Sequence, residues 1–589
     1  MSDMHPRARR GGLVLAGYVL SVLLGVAPSA AWGKAAKPTP EDLAGWPIQV
    51  KGHVPPRGEE HPRLLFRRSD LPALRARART AEGQALIRRL RIQLNGGDGE
   101  TMPQRFGAKG PVNKDGAGPH ADSPPGMYTM SHAAGYGLLY LLTEDKKYAD
   151  LGRKCMDLAL EGQRDRDQRY SFRAPYGALR AGPSLGWTAL GYDLCYDGWD
   201  EAYRRKIAAA LADYNEGQWC SLPELTRGDR QHPGSNHWGM EVGGAAMALL
   251  AIRDDPGVDM SRIAPLIEAS RTSMIINMTQ GFGDGGFFAE GDGTGSMSSH
   301  IVFLPALQAW RTAAGLDFVS PRPNAQWMAL KWFFLTVPRG GGKMDFPGRG
   351  GYPHNIWARH DKSGGGYFSI AMGVCNDDQR SAMLWFYNRH LREVDDKNQT
   401  PLDAATPYPH HTILSLANWP MGGQEKDPDR VLPHACRDTK WHFYAWRNRW
   451  QDQDDIVISI LTRASKGNMG ARGEGSLTIF AMGKKMTWGN IRGGFVGEYA
   501  PKADGSTVLS TGDGGGLAID FSRASGADGM IVQAGPAAGK GTTLEAGGQK
   551  FSFLFLTKGP APQPKVEGDK IVVGQQTVGW DGKRMVLGK

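Results

Sequence analysis

The sequence predicts a helical domain followed by a β-rich domain. At 589 residues the chain exceeds the size at which a single core stops growing, so at least two domains are expected. Between residues 61 and 420, apolar residues recur with the period of an α-helix, and loops rich in Gly, Pro and Asp separate the runs. Beyond Trp441, short β-prone runs alternate with Gly-rich turns, which is typical of an antiparallel sandwich over residues 421–589.

The helical part contains no alternation of strands and helices. Its apolar stripes, for example at 185–194, 207–214 and 242–252, indicate a stack of helical hairpins rather than βαβ units. The β-prone runs in the second part are 456–461, 476–481, 515–521, 530–532, 551–556 and 571–573.

The N-terminus has the features of a cleavable signal peptide at residues 1–31. Arg7, Arg9 and Arg10 form a charged region, residues 13–26 are apolar, and small residues follow at 29–31. The apolar run is shorter than the roughly 20 residues that a spanning helix needs, although an uncleaved anchor is the alternative. We therefore expect a secreted or periplasmic protein without membrane insertion after cleavage, in which residues 32–60 form an extended lead-in.

Composition favours an anionic partner. The formal charge is +10, which suits acidic polysaccharide, nucleic acid or anionic lipid. Lys and Arg are dispersed among acidic residues, so nucleic acid is disfavoured. The five cysteines are odd in number and lack metal-like spacing; they are either partly disulfide-bonded or buried thiols. We expect no metal and no cofactor, and the oligomeric state is left open.

The first candidate site segment covers residues 234–250. Ser235 or Asn236 can cap a helix there, which places Asn236, His237 and Glu241 near its N-terminus. Partial positive charge and free N–H groups at that end favour an anion. The alternative is that Asn236 only caps the helix and His237 only packs.

The second segment is the glycine-rich loop at 281–295, followed by His300. It carries Asp284, Glu290 and Asp292, and its glycines allow the backbone to approach a ligand closely. Solvated loop acids are the alternative interpretation. If the helices form a ring, Asn236, His237, Glu290 and His300 are expected to line one cleft.

The third segment is the loop at 338–355, which contains Arg349, Tyr352 and His354. A spacer would be polar, whereas these side chains suit the face of a sugar and a carboxylate. We expect this loop to wall the cleft opposite Asn236, at the seam between the domains, with Arg349 pairing with the acidic group of the ligand.

Four segments resemble the heparinase II/III-like polysaccharide lyases. They are HPRLLF at 61–66 with LPAL at 71–74, the Asn236-His237 helix, GGFFAEG at 285–291 and the start of the β-domain at 446–460. The resemblance implies an incomplete (α/α) toroid followed by an antiparallel β-sandwich, and a lyase that cleaves a uronic-acid-containing polysaccharide by β-elimination.

The resemblance also implies roles for particular residues. The Asn that matches Asn236 neutralises the carboxylate of the uronate, which stabilises the enolate-like transition state. The catalytic Tyr of the family falls near Thr294 in this chain, and a family His in the β-domain falls in the loop at 466–472, which contains no His. This sequence therefore departs from the family at two catalytic positions.

Other residues must then fill the missing roles. The lyase hypothesis uses Asn236 with Arg349 to neutralise the carboxylate, and His237, His300 or His354 as the base. Tyr352 would protonate the leaving oxygen, while Glu241, Glu290 and Asp292 would bind substrate.

Two alternatives stay open at this stage. One is a glycoside hydrolase on the same toroid, with a carboxylate pair among Asp284, Glu290 and Asp292. The other is a non-catalytic glycan-binding protein that has lost the site.

Overall fold

The computed structural model describes residues 37–112, 124–228, 231–293, 300–346, 349, 366–463, 474–522, 526–535 and 541–588. Tyr352, His354, Thr294, the loop at 466–472 and the signal-peptide segment lie outside these ranges. In the described part, the α-helices are α1 (Pro40–Leu43), α2 (Leu71–Arg79), α3 (Ala81–Asn95), α4 (His132–Thr143), α5 (Lys146–Leu160), α6 (Ala178–Cys195), α7 (Glu201–Ala212), α8 (Leu222–Arg227), α9 (Asn236–Ile252), α10 (Met260–Ile276), α11 (Phe303–Ala309), α12 (Pro323–Leu335), α13 (Tyr367–Met372), α14 (Asp377–His390), α15 (Arg392–Lys397), α16 (Pro409–Asn418) and α17 (Pro428–Val431).

Six of these helices form a ring. Each helix contacts the next in the order α4, α6, α9, α11, α13 and α16, and α16 contacts α4, which closes the ring. Helices such as α5 and α10 connect successive members of the ring and pack against them. The predicted fold class, a helical toroid followed by antiparallel sheets, is confirmed.

Helices α6 and α9 approach each other closely because glycines lie at their crossing. Gly182 lies directly against the backbone of Met240 and Glu241, and a side chain at Gly244 would collide with the backbone of Gly182. One turn further, Gly186 faces Gly244, so the two helices run in the same direction. Both helices therefore begin at the same end of the toroid.

The HPRLLF segment anchors the N-terminal part of the chain to this helix pair. His61 Nδ1 lies 2.7 Å from Asp193 of α6, and its Nε2 lies 3.1 Å from Asp255, just after α9. Arg63 Nη2 pairs with Asp255 at 2.9 Å, and the Tyr192 hydroxyl donates to the same carboxylate at 2.7 Å. All five side chains are buried, so the segment is a structural tie rather than a surface motif.

The strands of the described residues all pair antiparallel. They are β1 (Ile48–Gln49), β2 (Leu316–Asp317), β3 (Val337–Gly340), β4 (Lys343–Asp345), β5 (Ala435–Asp438), β6 (Phe443–Arg447), β7 (Val457–Leu461), β8 (Leu477–Ala481), β9 (Lys484–Trp488), β10 (Phe495–Val496), β11 (Thr507–Thr511), β12 (Gly516–Asp520), β13 (Gly529–Ala534), β14 (Thr542–Ala546), β15 (Gln549–Leu556), β16 (Lys565–Glu567), β17 (Lys570–Val573), β18 (Gln576–Trp580) and β19 (Met585–Gly588). The lead-in is not fully extended, since it contains α1 as well as β1, which pairs with β2.

Three sheets stack in the C-terminal part. The first has the order β5-β6-β7-β8-β9, the second β10-β11-β12-β13-β15-β14 and the third β16-β17-β18-β19. Alternate residues of β6 bury both faces of the first sheet: Phe443 joins the core of the toroid, and Tyr444 joins the core shared with the second sheet. The other face of the second sheet packs on the third, for example through Val532 and Ile571. The third layer was not predicted.

The six β-prone runs of the sequence correspond to β7, β8, β12, β13, β15 and β17. All five cysteines are buried and free, which agrees with the buried-thiol interpretation. Across the described ranges, no helix is both long and apolar enough to cross a bilayer.

We expect Gly244→Ala to destabilise the protein by about 1–3 kcal/mol, because the added methyl group would overlap the backbone of Gly182. Urea unfolding followed by circular dichroism measures this loss. Gly186→Ala is the matched control on the same crossing, where the nearest atom to the new Cβ is 3.1 Å away and the loss should be smaller. Equal losses for the two variants would contradict the proposed close contact.

Candidate functional site

The first part of the site joins the N-terminus of α9 to the glycine-rich loop. The side chain of Ser235 caps the helix, and the backbone N–H of Asn236 donates to Glu290 Oε2 at 3.0 Å. Asn236 and Glu290 are both buried. Burial raises the pKa of Glu290 to about 7, although the Asn236 N–H and nearby His237 favour the ionised form. The carboxyl of Glu290 can therefore exchange a proton near neutral pH.

His237 is the accessible histidine of this group. About a third of its side chain, 31%, is exposed, and its Nδ1 faces the buried Glu241 Oε1 at 3.7 Å, one helical turn later. At 3.7 Å the contact is longer than a hydrogen bond. His237 is therefore the member of the pair that a ligand can reach, with an acidic side chain one helical turn behind it.

The glycine-rich loop is held by the β-domain. The end of α10 continues as a π-helical turn, Asn277–Gly281, and Asp438 of β5 then accepts the backbone N–H groups of Gly285 and Phe287, both at 3.0 Å. Burial raises the pKa of Asp438 to about 7. The first sheet therefore fixes the loop that carries Glu290.

Asp292 and Arg349 lie together at the seam between toroid and first sheet. Asp292 forms a buried ion pair with Lys331 of α12 and accepts the backbone N–H of Arg349 at 2.7 Å. The guanidinium of Arg349 is buried and donates to the backbone carbonyls of Ser459, at 2.9 Å, and Ser476. Burial lowers the pKa of Arg349 to about 10. These contacts place Arg349 at the seam, and its pairing with a uronate stays a prediction.

The other predicted residues occupy different surroundings. His300 is fully buried, with its ring 5.5 Å from that of Trp332 and 5.2 Å from that of Tyr367. Asp284 accepts the backbone N–H of Thr439 at 2.6 Å and its hydroxyl at 2.8 Å. That Asn236, His237, Glu290 and His300 share one cleft stays a prediction, and Tyr352 and His354 lie outside the described residues.

The second part of the site is a cavity of about 300 Å³ inside the ring, a size at the lower end of small-ligand pockets. Aromatic rings form much of its lining, including Tyr170, Tyr408 and Trp187, whose ring stacks on His410 at 3.9 Å. Burial lowers the pKa of His410 well below its usual value and that of His411 to about 3, so both imidazoles are neutral. Such rings provide flat faces for the C–H groups of a sugar.

Four charged residues also line the cavity. Arg169 pairs with Asp167 at 2.5 Å, which neutralises both. Asp165 accepts the N–H groups of Met130, at 2.7 Å, and Asp167, at 2.8 Å, and burial raises its pKa to about 7. The fourth is Arg180, which lies in the first turn of α6.

The cavity and the Asn236 group lie at the same end of the toroid. Arg180 lies in the first turn of α6, two residues before Gly182, and Gly182 touches the second turn of α9. Ile301, which lines the cavity, directly follows His300 in the chain. Sequence reasoning assigned Trp187 to the apolar core and missed Arg180. The available signal was that Arg180 is the one cationic residue of helix 178–195, which is otherwise mostly apolar.

Comparisons with known proteins give similarity to solved lyase structures. No family model and no curated protein matches the chain. Heparan sulfate lyase HepC from Pedobacter heparinus is 12% identical with a TM-score of 0.36, and the match covers 70% of this chain and 62% of that one. Heparinase III is 10% identical with a TM-score of 0.37, over 85% of this chain and 77% of that one. With values this low, neither structure says what this chain binds or cleaves.

We expect Glu290→Gln to change how stability depends on pH. The folded pKa of about 7 exceeds the ordinary 4.5, so below pH 4.5 Glu290 is protonated in both the folded and the unfolded chain. Between pH 4.5 and about 7 the unfolded chain releases this proton more readily, so the free energy of unfolding falls as pH rises. The glutamine variant lacks this loss and should become more stable than the wild type over that window, by up to roughly 3 kcal/mol above pH 7. Urea unfolding at several pH values measures the difference.

The matched control is Glu268→Gln, which alters an exposed carboxylate of α10. Its stability should follow the wild-type pH dependence. A Glu290→Gln profile parallel to that of the wild type would show that the carboxyl ionises as freely as in the unfolded chain.

Proposed function

We propose that this protein is a polysaccharide lyase that cleaves a uronic-acid-containing polysaccharide by β-elimination. The observation that carries the proposal is the Glu290 carboxyl, with its pKa near 7, against the Asn236 N–H and beside the accessible His237. An aromatic cavity lies at the same end of the toroid and suits a sugar ring. Proton-transfer groups beside a sugar-sized cavity support chemistry on a glycan.

The first requirement of β-elimination is a more acidic C5 proton. An ionised carboxylate on C5 opposes formation of the carbanion, so donors and positive charge must offset it. Asn236 offers its side-chain amide at the N-terminus of α9, where the helix dipole also favours negative charge. The Asn236 amide and the helix dipole would both stabilise the enolate-like transition state more than the ground state.

The second requirement is a base and an acid. His237, whose side chain is accessible, takes the C5 proton, and Glu241 lies one helical turn behind it. Glu290, protonated below about pH 7, delivers a proton to the leaving O4 oxygen. These residues take the roles that the sequence departures leave open, and Tyr352 remains an alternative proton donor.

A glycoside hydrolase is the second candidate, because Glu290 could also serve as its general acid. That mechanism needs a second carboxylate, and the two other acids of the loop are engaged: Asp284 by Thr439 and Asp292 by Lys331. A hydrolase releases reducing sugar without an alkene, so the products distinguish the two reactions.

The location of the substrate follows from the N-terminal segment. The signal-peptide features of residues 1–31 support export, so the polysaccharide would be encountered outside the cytoplasm. The positive formal charge of the chain favours association with an acidic polymer.

The mature protein should release products with the ultraviolet absorbance of a conjugated C4–C5 alkene from at least one uronate polymer. We expect His237→Ala to lower kcat by about 100-fold or more, and Asn236→Ala by a similar factor, because each acts in the transition state. The rate at which the alkene absorbance rises measures kcat for both variants.

Asn388→Ala, on the surface of α14, is the matched control and should retain wild-type activity. Absence of alkene from every uronate polymer would exclude the lyase, and reducing sugar without alkene would favour the hydrolase. No product of either kind, with glycan binding retained, would indicate a binding protein.

A further inference from the structure

The cavity where α4, α6 and α16 begin is lined by a buried cation, Arg180, that forms no ion pair with any of the described residues. Arg180 is 6% exposed, and its Nη1 atom has no hydrogen-bond partner within the described part of the chain. Its guanidinium lies 5.1 Å from the centre of the Tyr170 ring, a contact that does not neutralise charge. A buried charge is costly unless it is paired, so an anion bound beside the Arg180 guanidinium would be stabilised.

The neighbouring groups do not supply the missing anion. Asp167 is paired with Arg169, and the carboxyl of Asp165 accepts two backbone N–H groups and forms no ion pair with Arg180 among the described residues. The histidines of the lining are neutral because burial lowers their pKa values. The charges of Arg169 and Asp167 cancel, so the cavity carries net positive charge to the extent that Asp165, with its pKa of about 7, is protonated.

Three helix N-termini strengthen this positive field. Helices α4, α6 and α16 all begin at the cavity, and none of the three has a side-chain cap. The positive ends of their dipoles favour an anion at this end of the ring, to which Arg180 belongs. Together with the guanidinium of Arg180, these helix ends form a candidate anion-binding site.

We propose that Arg180 binds the acidic group of a sugar residue whose ring packs on the Trp187–His410 stack. The guanidinium forms a bidentate pair with the carboxylate, and the aromatic faces contact the C–H groups of the ring. The choice of a glycan ligand rests on the proposed function. The inference assigns recognition of the acidic sugar to a residue that the sequence motifs did not indicate.

The test combines stability with binding, using mature wild-type protein and the variants Arg180→Met and Arg169→Met. In the ligand-free protein, Arg180→Met should keep or raise the thermal midpoint, because it removes an unpaired buried charge. Arg169→Met should lower the midpoint, because it leaves Asp167 without its partner. An Arg180→Met variant that unfolds, or that loses as much stability as Arg169→Met, would overturn the proposal.

The binding arms use glucuronate, glucose and sodium sulfate as probes in calorimetric titrations. The wild type should bind glucuronate more tightly than glucose, and Arg180→Met should weaken glucuronate binding by about tenfold or more while leaving glucose binding unchanged. Arg180→Lys, which keeps the charge but not the fork, should bind with intermediate affinity. Equal weakening for both sugars, or no weakening for either, would contradict the assignment.

Sulfate that binds as tightly as glucuronate would show a simple anion site without recognition of the sugar, and would also overturn the proposal. Because these measurements need no turnover, they are independent of the lyase assay. Arg180-dependent glucuronate binding without alkene formation would disprove the proposed reaction and support this inference. Alkene formation together with glucuronate binding that does not depend on Arg180 would support the proposed reaction and disprove this inference.

Discussion

The close approach of α6 and α9 sets the geometry on which the candidate site depends. Glycines at the crossing let the backbones touch, so the register between the helices is fixed at Gly182 and Gly244. Because the helices run in the same direction, their N-termini open at one end. The field of those termini, the Asn236 group and Arg180 then act on one region of the toroid.

The β-domain stabilises the loops of that region. Its first sheet has no solvent-facing side over much of β6, since Phe443 packs into the toroid and Tyr444 into the second sheet. From the same sheet, Asp438 holds the backbone of the glycine-rich loop, and carbonyls of the sheet hold the guanidinium of Arg349. The loop that carries Glu290 is thus ordered by contacts from a part of the chain about 150 residues away.

Buried ionisable groups divide into two kinds in this molecule. His61 and Arg63 are bonded to Asp193 and Asp255 and tie the lead-in to the helix pair, so the role of these groups is structural. Arg180 is buried where α6 begins, and its Nη1 has no hydrogen-bond partner in the described part of the chain, while burial is the largest influence on the pKa of Glu290. Groups of the second kind retain free energy that a ligand or a proton transfer can use.

The sequence by itself determined the division into a helical and a β-rich part, most of the core strands and the start of the helix at Asn236. Helical and β periodicities are local, and a capping residue before an apolar run marks a helix start without any tertiary information. The third sheet was not predicted because, of its strands, β17 alone was picked out in the sequence as a β-prone run.

Only the tertiary structure decided what each charged side chain faces. The sequence does not show what either Arg349 or Arg180 contacts. In the structure, Arg349 donates to carbonyls of the first sheet, whereas Arg180 lines a cavity. Asp284 and Glu290 belong to one loop, yet Asp284 meets Thr439 while Glu290 meets the N-terminus of α9. The physical reason is that the energy of a charge depends on partners within a few ångströms, and the ring brings those partners from distant parts of the chain.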